Sequence, residues 1–289
     1  MATKRMIRTA LLGLVLLASA CGTGATADVT TGDSGTPRPS EQAVSPDALV
    51  LRAESVGGFV PATLIYGRIP TVSIYADGRV ITEGPQVTIY PAPALPNLLV
   101  RTITRTEIDR LIAAAQRAGV GRPTDFGSPG ITDVPTTRFT LVDEGRTLTS
   151  EVYALGETPE DDQSLTTAQR EARARMRALL VTLTDPAGSP SDERYRPTAV
   201  ATIVTAYGAN TDQDTPPPAR AWRGAALPGR VVGPADMSCA LTTGAAVDTV
   251  LADAASANAA TPWTYGGRRW SLTFRPLLPD ETGCESLGR

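Results

Sequence analysis

Apolar and polar positions alternate along residues 49–55, and residues 59–66 and 72–76 concentrate β-branched and aromatic side chains, so the opening pattern predicts three strands. Asp77-Gly78 before Arg79-Val-Ile-Thr82 predicts a hairpin with a type I′ turn, which needs positive φ at both central residues. From Thr104 the period lengthens. Ile108, Leu111, Ile112 and Ala115 fall on one helical face, Thr104 and Glu107 form a capping box, and Gly119 supplies the stop. Residues 138–142 and 147–153 read as a second hairpin turning through Asp143-Glu-Gly145. A second helix starts near Thr166, where Gln169 completes another box, aligns Ala172, Met176, Leu179, Leu180 and Leu183, and stops at Asp185-Pro186.

Beyond a Pro-, Gly- and Ser-rich break the pattern resumes with strands at 199–207 and 220–223. A helix follows from about Thr243 with Val247, Val250, Leu251 and Ala254 on its buried face, and a last strand carries Trp270, Leu272 and Phe274 at period two. Strands with helices on one side predict an α+β protein of two small domains, each an antiparallel sheet with one or two helices packed on one face. The expected bounds are 47–186 and 198–289, joined by a linker at 187–197.

The N-terminus changes the picture from a generic globular chain to an exported one. Lys4, Arg5 and Arg8 precede an apolar run at 10–20 and then Cys21, the order of a secretory signal and too short to span a bilayer. Leu16-Leu-Ala-Ser-Ala-Cys21 resembles the lipobox of bacterial lipoproteins, which implies cleavage after residue 20 and a diacylglyceryl group on Cys21. Ala18-Ser-Ala20 also suits ordinary signal peptidase, so free secretion with an unmodified Cys21 is the alternative. Residues 21–46, rich in Gly, Thr, Ser and Pro, form the expected flexible tether.

With three cysteines, acylation of Cys21 leaves Cys239 and Cys284 as an even pair, and an oxidising compartment predicts their disulfide. The chain has no His, and its one lysine, Lys4, leaves with the signal. Ser-His-Asp and Cys-His hydrolysis, His-ligated zinc, Lys Schiff bases and Lys-closed phosphate loops are therefore excluded, and no cofactor or metal is called for. Loss of residues 1–20 removes three of 27 basic residues and none of 30 acidic ones, a net charge of −6. Such a chain is a poor partner for nucleic acid, and the membrane is reached through the lipid on Cys21.

Four carboxylates in Glu157-Thr-Pro-Glu-Asp-Asp162 lack the spacing of a calcium loop and read as solvated surface. Arg170, Arg173 and Arg177 share a helical face and read as a solvated outer row. No acid lies in an apolar run, so no carboxylate is expected to have a raised pKa, and the chain is read as a non-enzyme. The aromatics Phe59, Tyr66, Tyr75 and Tyr90 read as core and cross-strand packing.

Glu54-Ser-Val-Gly-Gly-Phe59, followed by strand, helix, hairpin and helix, resembles the emfourin family of small metalloprotease inhibitors, with Val56 and a Pro-rich insert at 90–96 departing from that pattern. The resemblance implies that Gly57, Gly58 and Phe59 could contact a protease. Trp263, Tyr265, Arg268 and Arg269 around Gly266-Gly267 are candidate partner contacts of the kind that dominate hot spots, or aromatics packed beside the disulfide. Cys239-Ala-Leu241 and the later aromatic stretch are weakly similar to the Streptomyces subtilisin inhibitor family, without its two-disulfide framework. The lipobox and the preference for Arg over Lys resemble uncharacterised surface lipoproteins of high-GC actinobacteria. The sequence thus predicts a lipid-anchored, non-catalytic envelope protein used for binding another envelope or secreted protein or for envelope organisation, with secreted protease inhibition as the alternative.

Overall fold

The computed structural model describes residues 44–185, 193–208, 217–234 and 237–288. Cys21, the signal and most of the expected tether lie outside the described residues, as does the linker up to residue 192. In chain order the elements are β1 (Leu49–Val56), α1 (Ala62–Gly67), β2 (Val72–Tyr75), β3 (Arg79–Glu83), β4 (Leu98–Thr102), α2 (Arg105–Ala118), β5 (Thr136–Asp143), β6 (Arg146–Tyr153), α3 (Thr167–Thr184) and β7 (Glu193–Arg194). The second half adds β8 (Ala199–Ala206), β9 (Arg220–Ala221), β10 (Arg230–Val231), β11 (Ser238–Thr243), α4 (Ala246–Ala255), β12 (Trp263–Tyr265) and β13 (Arg268–Pro276). The fold is α+β and largely sheet: one sheet runs β6-β5-β1-β2-β3-β4-β7 and the other β10-β11-β8-β13-β12-β9, antiparallel except where β9 meets β12.

Period-two alternation decides the faces of the first sheet. Leu51, Ala53, Ile74, Phe139 and Leu141 point to one side, where Ile108 and Leu111 of α2 and Met176, Leu179 and Leu183 of α3 close the core. Thr104 accepts the Glu107 N–H, Gly119 ends α2 in the left-handed region, and Thr166 with Gln169 forms a complete capping box on α3. In the second sheet Val200, Val204, Trp222, Trp263 and Phe274 pack with Val247, Val250 and Ala254 of α4. Its opposite face buries Ala201, Ile203, Cys239 and Cys284 under Ala62 and Tyr66 of α1.

Several expectations are corrected here. Residues 59–66 do not form a strand: the chain turns at Pro61, and Ala62 and Tyr66, four apart, give α1 the side that it lays on the second sheet. The type I′ turn is not at Asp77-Gly78, where only Gly78 has positive φ and the three-residue loop 76–78 closes through the Gly78 N–H to Tyr75 O. That geometry falls instead at Glu144-Gly145 and at Gly266-Gly267, with positive φ at both residues of each pair. β4, β10 and β11 have no counterpart in the elements expected from the sequence.

The two sheets lie in one compact unit, residues 43–289. α1, from the first half of the chain, packs on β8 and β13, while β7, inside the expected linker, joins the edge of the first sheet at β4. Leu278 then packs on Tyr75 and Ile81, on the face of the first sheet turned away from its helices. Cys239 and Cys284 are bonded, with Cα atoms 6.0 Å apart, and tie this C-terminal segment to β11.

Candidate functional site

Two features of the first sheet stand out, and both begin at β1. The strand ends at Val56, and Gly57 and Gly58 follow with φ of 65° and 83°, a region that side-chain-bearing residues rarely adopt. Arg68 Nη1 donates to Ser55 O and Gly57 O at 3.1 and 3.0 Å, and the Phe59 N–H donates to Asp133 O at 3.1 Å. The loop is thus held from two sides. Phe59 at its tip is 85 % exposed, contrary to the expected packing. Val60, Leu64 and Val87 line an adjoining groove of about 440 Å³. Tyr90, the first residue of the Pro-rich insert, also faces out, at 74 % exposure, with Ile89 just ahead of it. Of the four aromatics expected inside, Tyr75 is fully buried and Tyr66 half-buried, its hydroxyl donating to Val232 O at 2.6 Å.

The second feature is a polar cleft of about 480 Å³ on the face of the first sheet turned away from α2 and α3. Residues alternating with the core positions form its floor. Glu54, Arg138 and Glu151 lie in register across β1, β5 and β6, and Arg52, Thr140 and Thr149 form the next row. α1 with Arg68 makes one wall and the C-terminal segment with Asp280 and Glu281 the other. Arg52 Nη2 and the Tyr75 hydroxyl both donate to Asp280 Oδ1 at 2.7 Å, and burial raises the Tyr75 pKa well above its ordinary value. Arg275 Nη2 donates to Glu281 Oε1 at 2.6 Å, while Glu281 Oε2 accepts the Leu278 N–H at 2.7 Å. Tyr195, nearby, donates to Leu277 O at 2.9 Å, and burial pushes its hydroxyl up to about 12.

Glu54 differs from these neighbours. Its closest cation is Arg138 Nη1 at 3.8 Å, and among the described residues nothing donates a hydrogen bond to its carboxylate. Burial holds its pKa above the ordinary value of 4.5, with Arg52 and Arg138 opposing the shift. Burial raises Glu83 as well. The sequence-based expectation that no carboxylate would be raised therefore fails, because the burial that raises Glu54 and Glu83 comes from the tertiary fold. With carboxylate, guanidinium and hydroxyl groups the cleft can bind charged and hydrogen-bonding ligands, and the described residues that line it include no imidazole, amine or thiol.

The aromatic rim predicted around Gly266-Gly267 divides. Trp263 is in the core, edge-on to Trp222 at 6.0 Å and to Phe274 at 5.4 Å, so it is withdrawn from any partner. Arg268 and Arg269 are exposed, Tyr265 is half-buried, and the Arg268 guanidinium sits 4.5 Å from the centre of the Trp270 ring. The arginine row on α3 is also corrected. Arg173 is fully buried and donates to Tyr153 O, Ala154 O and Thr158 Oγ1, while Arg177 donates to Leu155 O and Thr158 O. The turn at 154–158 aims its carbonyl groups at the helix, and guanidinium forks satisfy them. In the acidic loop that follows, Asp162 accepts from Ser164 N and Oγ, which hold its pKa below the ordinary range.

Compared with protein-family models, curated proteins and solved structures, the chain has no match in any of the three.

Proposed function

We propose that the protein is a lipid-anchored component of the extracytoplasmic face of a cell membrane that acts, without catalysis, by binding another envelope or secreted protein. One observation carries the binding role: Phe59 is 85 % exposed on a loop held by Arg68 and Asp133, beside a groove edged by Val60, Leu64 and Val87. Contiguous exposed apolar surface is characteristic of interaction sites, and a pre-ordered loop loses little entropy on docking. The anchor is supported by the lipobox-like residues 16–21 and the expected tether behind them.

A photo-crosslinking side chain at position 59 of the full-length protein, in cells, is expected to give a discrete adduct that the same probe at Val181, an exposed apolar position on α3, does not give. Phe59→Ala should weaken capture of that partner by about 10- to 100-fold, the value of burying one phenyl ring. Identical adduct patterns at 59 and 181 would refute the reading. Cys21→Ala is expected to leave the protein unprocessed or release it to the medium; a matured, membrane-bound variant would refute the anchor.

Inhibition of a secreted protease is a second reading, supported by the position of the Phe59 tip directly after Gly57-Gly58. Stoichiometric inhibition of a metalloprotease, lost in Phe59→Ala, would favour it.

A further inference from the structure

The polar cleft stands apart from the Phe59 surface in its chemistry, and two of its charged groups are left over once the pairs within the protein are formed. Four guanidinium groups, of Arg52, Arg68, Arg138 and Arg275, face four carboxylates, of Glu54, Glu151, Asp280 and Glu281. Most of these groups have already found partners in the protein. Arg275 is closed on Glu281, Arg52 on Asp280, and Arg138 Nε donates to Glu151 Oε1 at 2.8 Å. Two groups remain. Glu54 accepts no hydrogen bond among the described residues, although only a quarter of its side chain is exposed. Arg68 uses Nη1 alone, for Ser55 O and Gly57 O, and leaves Nε and Nη2 without a partner among the described residues.

We propose that this cleft is a binding site for a small zwitterion, a free amino acid or a short unblocked peptide, whose ammonium pairs with Glu54 and whose carboxylate pairs with Arg68 and the outer edge of Arg138.

A half-buried carboxylate without donors is costly, and its raised pKa expresses that cost. An ammonium group, with three donors, relieves it more fully than a hydroxyl, which brings no charge. The equal count of opposite charges sets a simple anion against the carboxylates and a simple cation against the guanidinium groups, whereas a zwitterion meets both. The backbone fixes the spacing of the pair. Glu54 and Arg138 are directly opposite across β1 and β5, and Arg68 is tied by its own hydrogen bonds to Ser55, next to Glu54 in β1, and to Gly57 just past the strand's end. A volume of about 480 Å³ lies within the usual range for small-molecule sites and has room for an amino acid or dipeptide.

Titration calorimetry of the full-length protein against the free L-amino acids and unblocked alanine dipeptides tests the assignment. At least one is expected to bind, and its N-acetylated and C-amidated derivatives should bind about 10- to 100-fold more weakly, the value of one charge-assisted contact. Glu54→Gln is isosteric and breaks no hydrogen bond within the protein, so the variant should fold; it should lower affinity for the unblocked ligand by the same factor and leave the N-acetylated one unchanged. Thr149→Trp, which fills the cleft from its exposed floor, should abolish binding, while Phe59→Ala should leave it intact. The assignment is overturned if no member of the panel binds at about 1 mM, if blocked and unblocked forms bind equally, if binding survives Thr149→Trp, or if only glucose or inorganic phosphate binds.

Discussion

Removal of the Glu281 carboxylate should destabilise the protein far more than a surface ion pair would, and the structure gives the size of the effect. Arg275 and Glu281 have side chains only 2 % and 7 % exposed, and burial holds the Arg275 pKa below the ordinary arginine value despite its partner. Arg275 also donates through Nε to Arg68 O at 3.0 Å, so this pair fastens β13 to the chain beyond α1 and, through the Leu278 N–H, to the C-terminal segment. Glu281→Ala strands a buried guanidinium and frees the Leu278 N–H, a loss of about 3–5 kcal/mol. For a unit of this size that corresponds to a fall in Tm of about 6–20 °C. Glu281→Gln keeps the shape and one acceptor and should cost about half as much. The double variant Arg275→Met/Glu281→Leu removes both charges and should recover most of the loss, except about 1–3 kcal/mol for the orphaned Leu278 N–H and the Arg68 and Pro276 carbonyls. Urea unfolding of the four proteins, read as a double-mutant cycle, measures the coupling. A cost below about 1 kcal/mol for Glu281→Ala, the range of exposed pairs, would refute the claim that this pair holds the segment.

Reduction of Cys239–Cys284, 45 residues apart, should lower stability by about 4 kcal/mol in the chain-entropy account, read as a shift in the urea midpoint with and without reductant. Thr166→Ala removes the acceptor for the Gln169 N–H in the α3 capping box and should cost about 1 kcal/mol by the same assay. The raised pKa of Glu54 means that the unfolded chain releases its proton first as pH rises past 4.5, so this group lowers stability above that pH. Glu54→Gln should therefore raise Tm at pH 7, with the gain vanishing below about pH 4; a gain that grows on acidification would reverse the sign of the argument.

Much of the fold is legible in the sequence because local signals and burial agree. The Thr104 and Thr166 caps, the stop at Gly119 and the alternation of Leu51, Arg52, Ala53 and Glu54 each state locally what the sheet and helices then use. Misreadings arise where tertiary contacts outweigh local pattern. Residues 59–66 carry a strand-like composition, yet Pro61 and the demand for apolar cover on the second sheet make residues 62–67 helical. Arg173 falls on a face that helical periodicity marks as polar, yet the turn at 154–158 folds over it and its carbonyl groups accept the guanidinium. Trp263 shares a hairpin with exposed arginines, and only the position of Trp222, the residue that follows β9 where that strand pairs in parallel with β12, reveals that it points inward.

The cleft is the least legible part, because its members meet only through strand register and chain closure. Glu54, Arg138 and Glu151 become a row once β1 and β6 both pair with β5, and Asp280 joins Arg52 across 228 residues. What the sequence does state is the kind of charge available. In a chain whose only lysine is Lys4 and which lacks histidine, the basic side chains of the described residues are all arginine, which stays protonated at any physiological pH. Its carboxylates are therefore the groups in the cleft whose charge can change, and three of the four are held by donors or cations within hydrogen-bonding distance. Glu54 is the fourth. Its charge state, set by burial against the two neighbouring guanidinium groups, is the variable through which a ligand's ammonium group can gain binding energy that the folded protein has not already used.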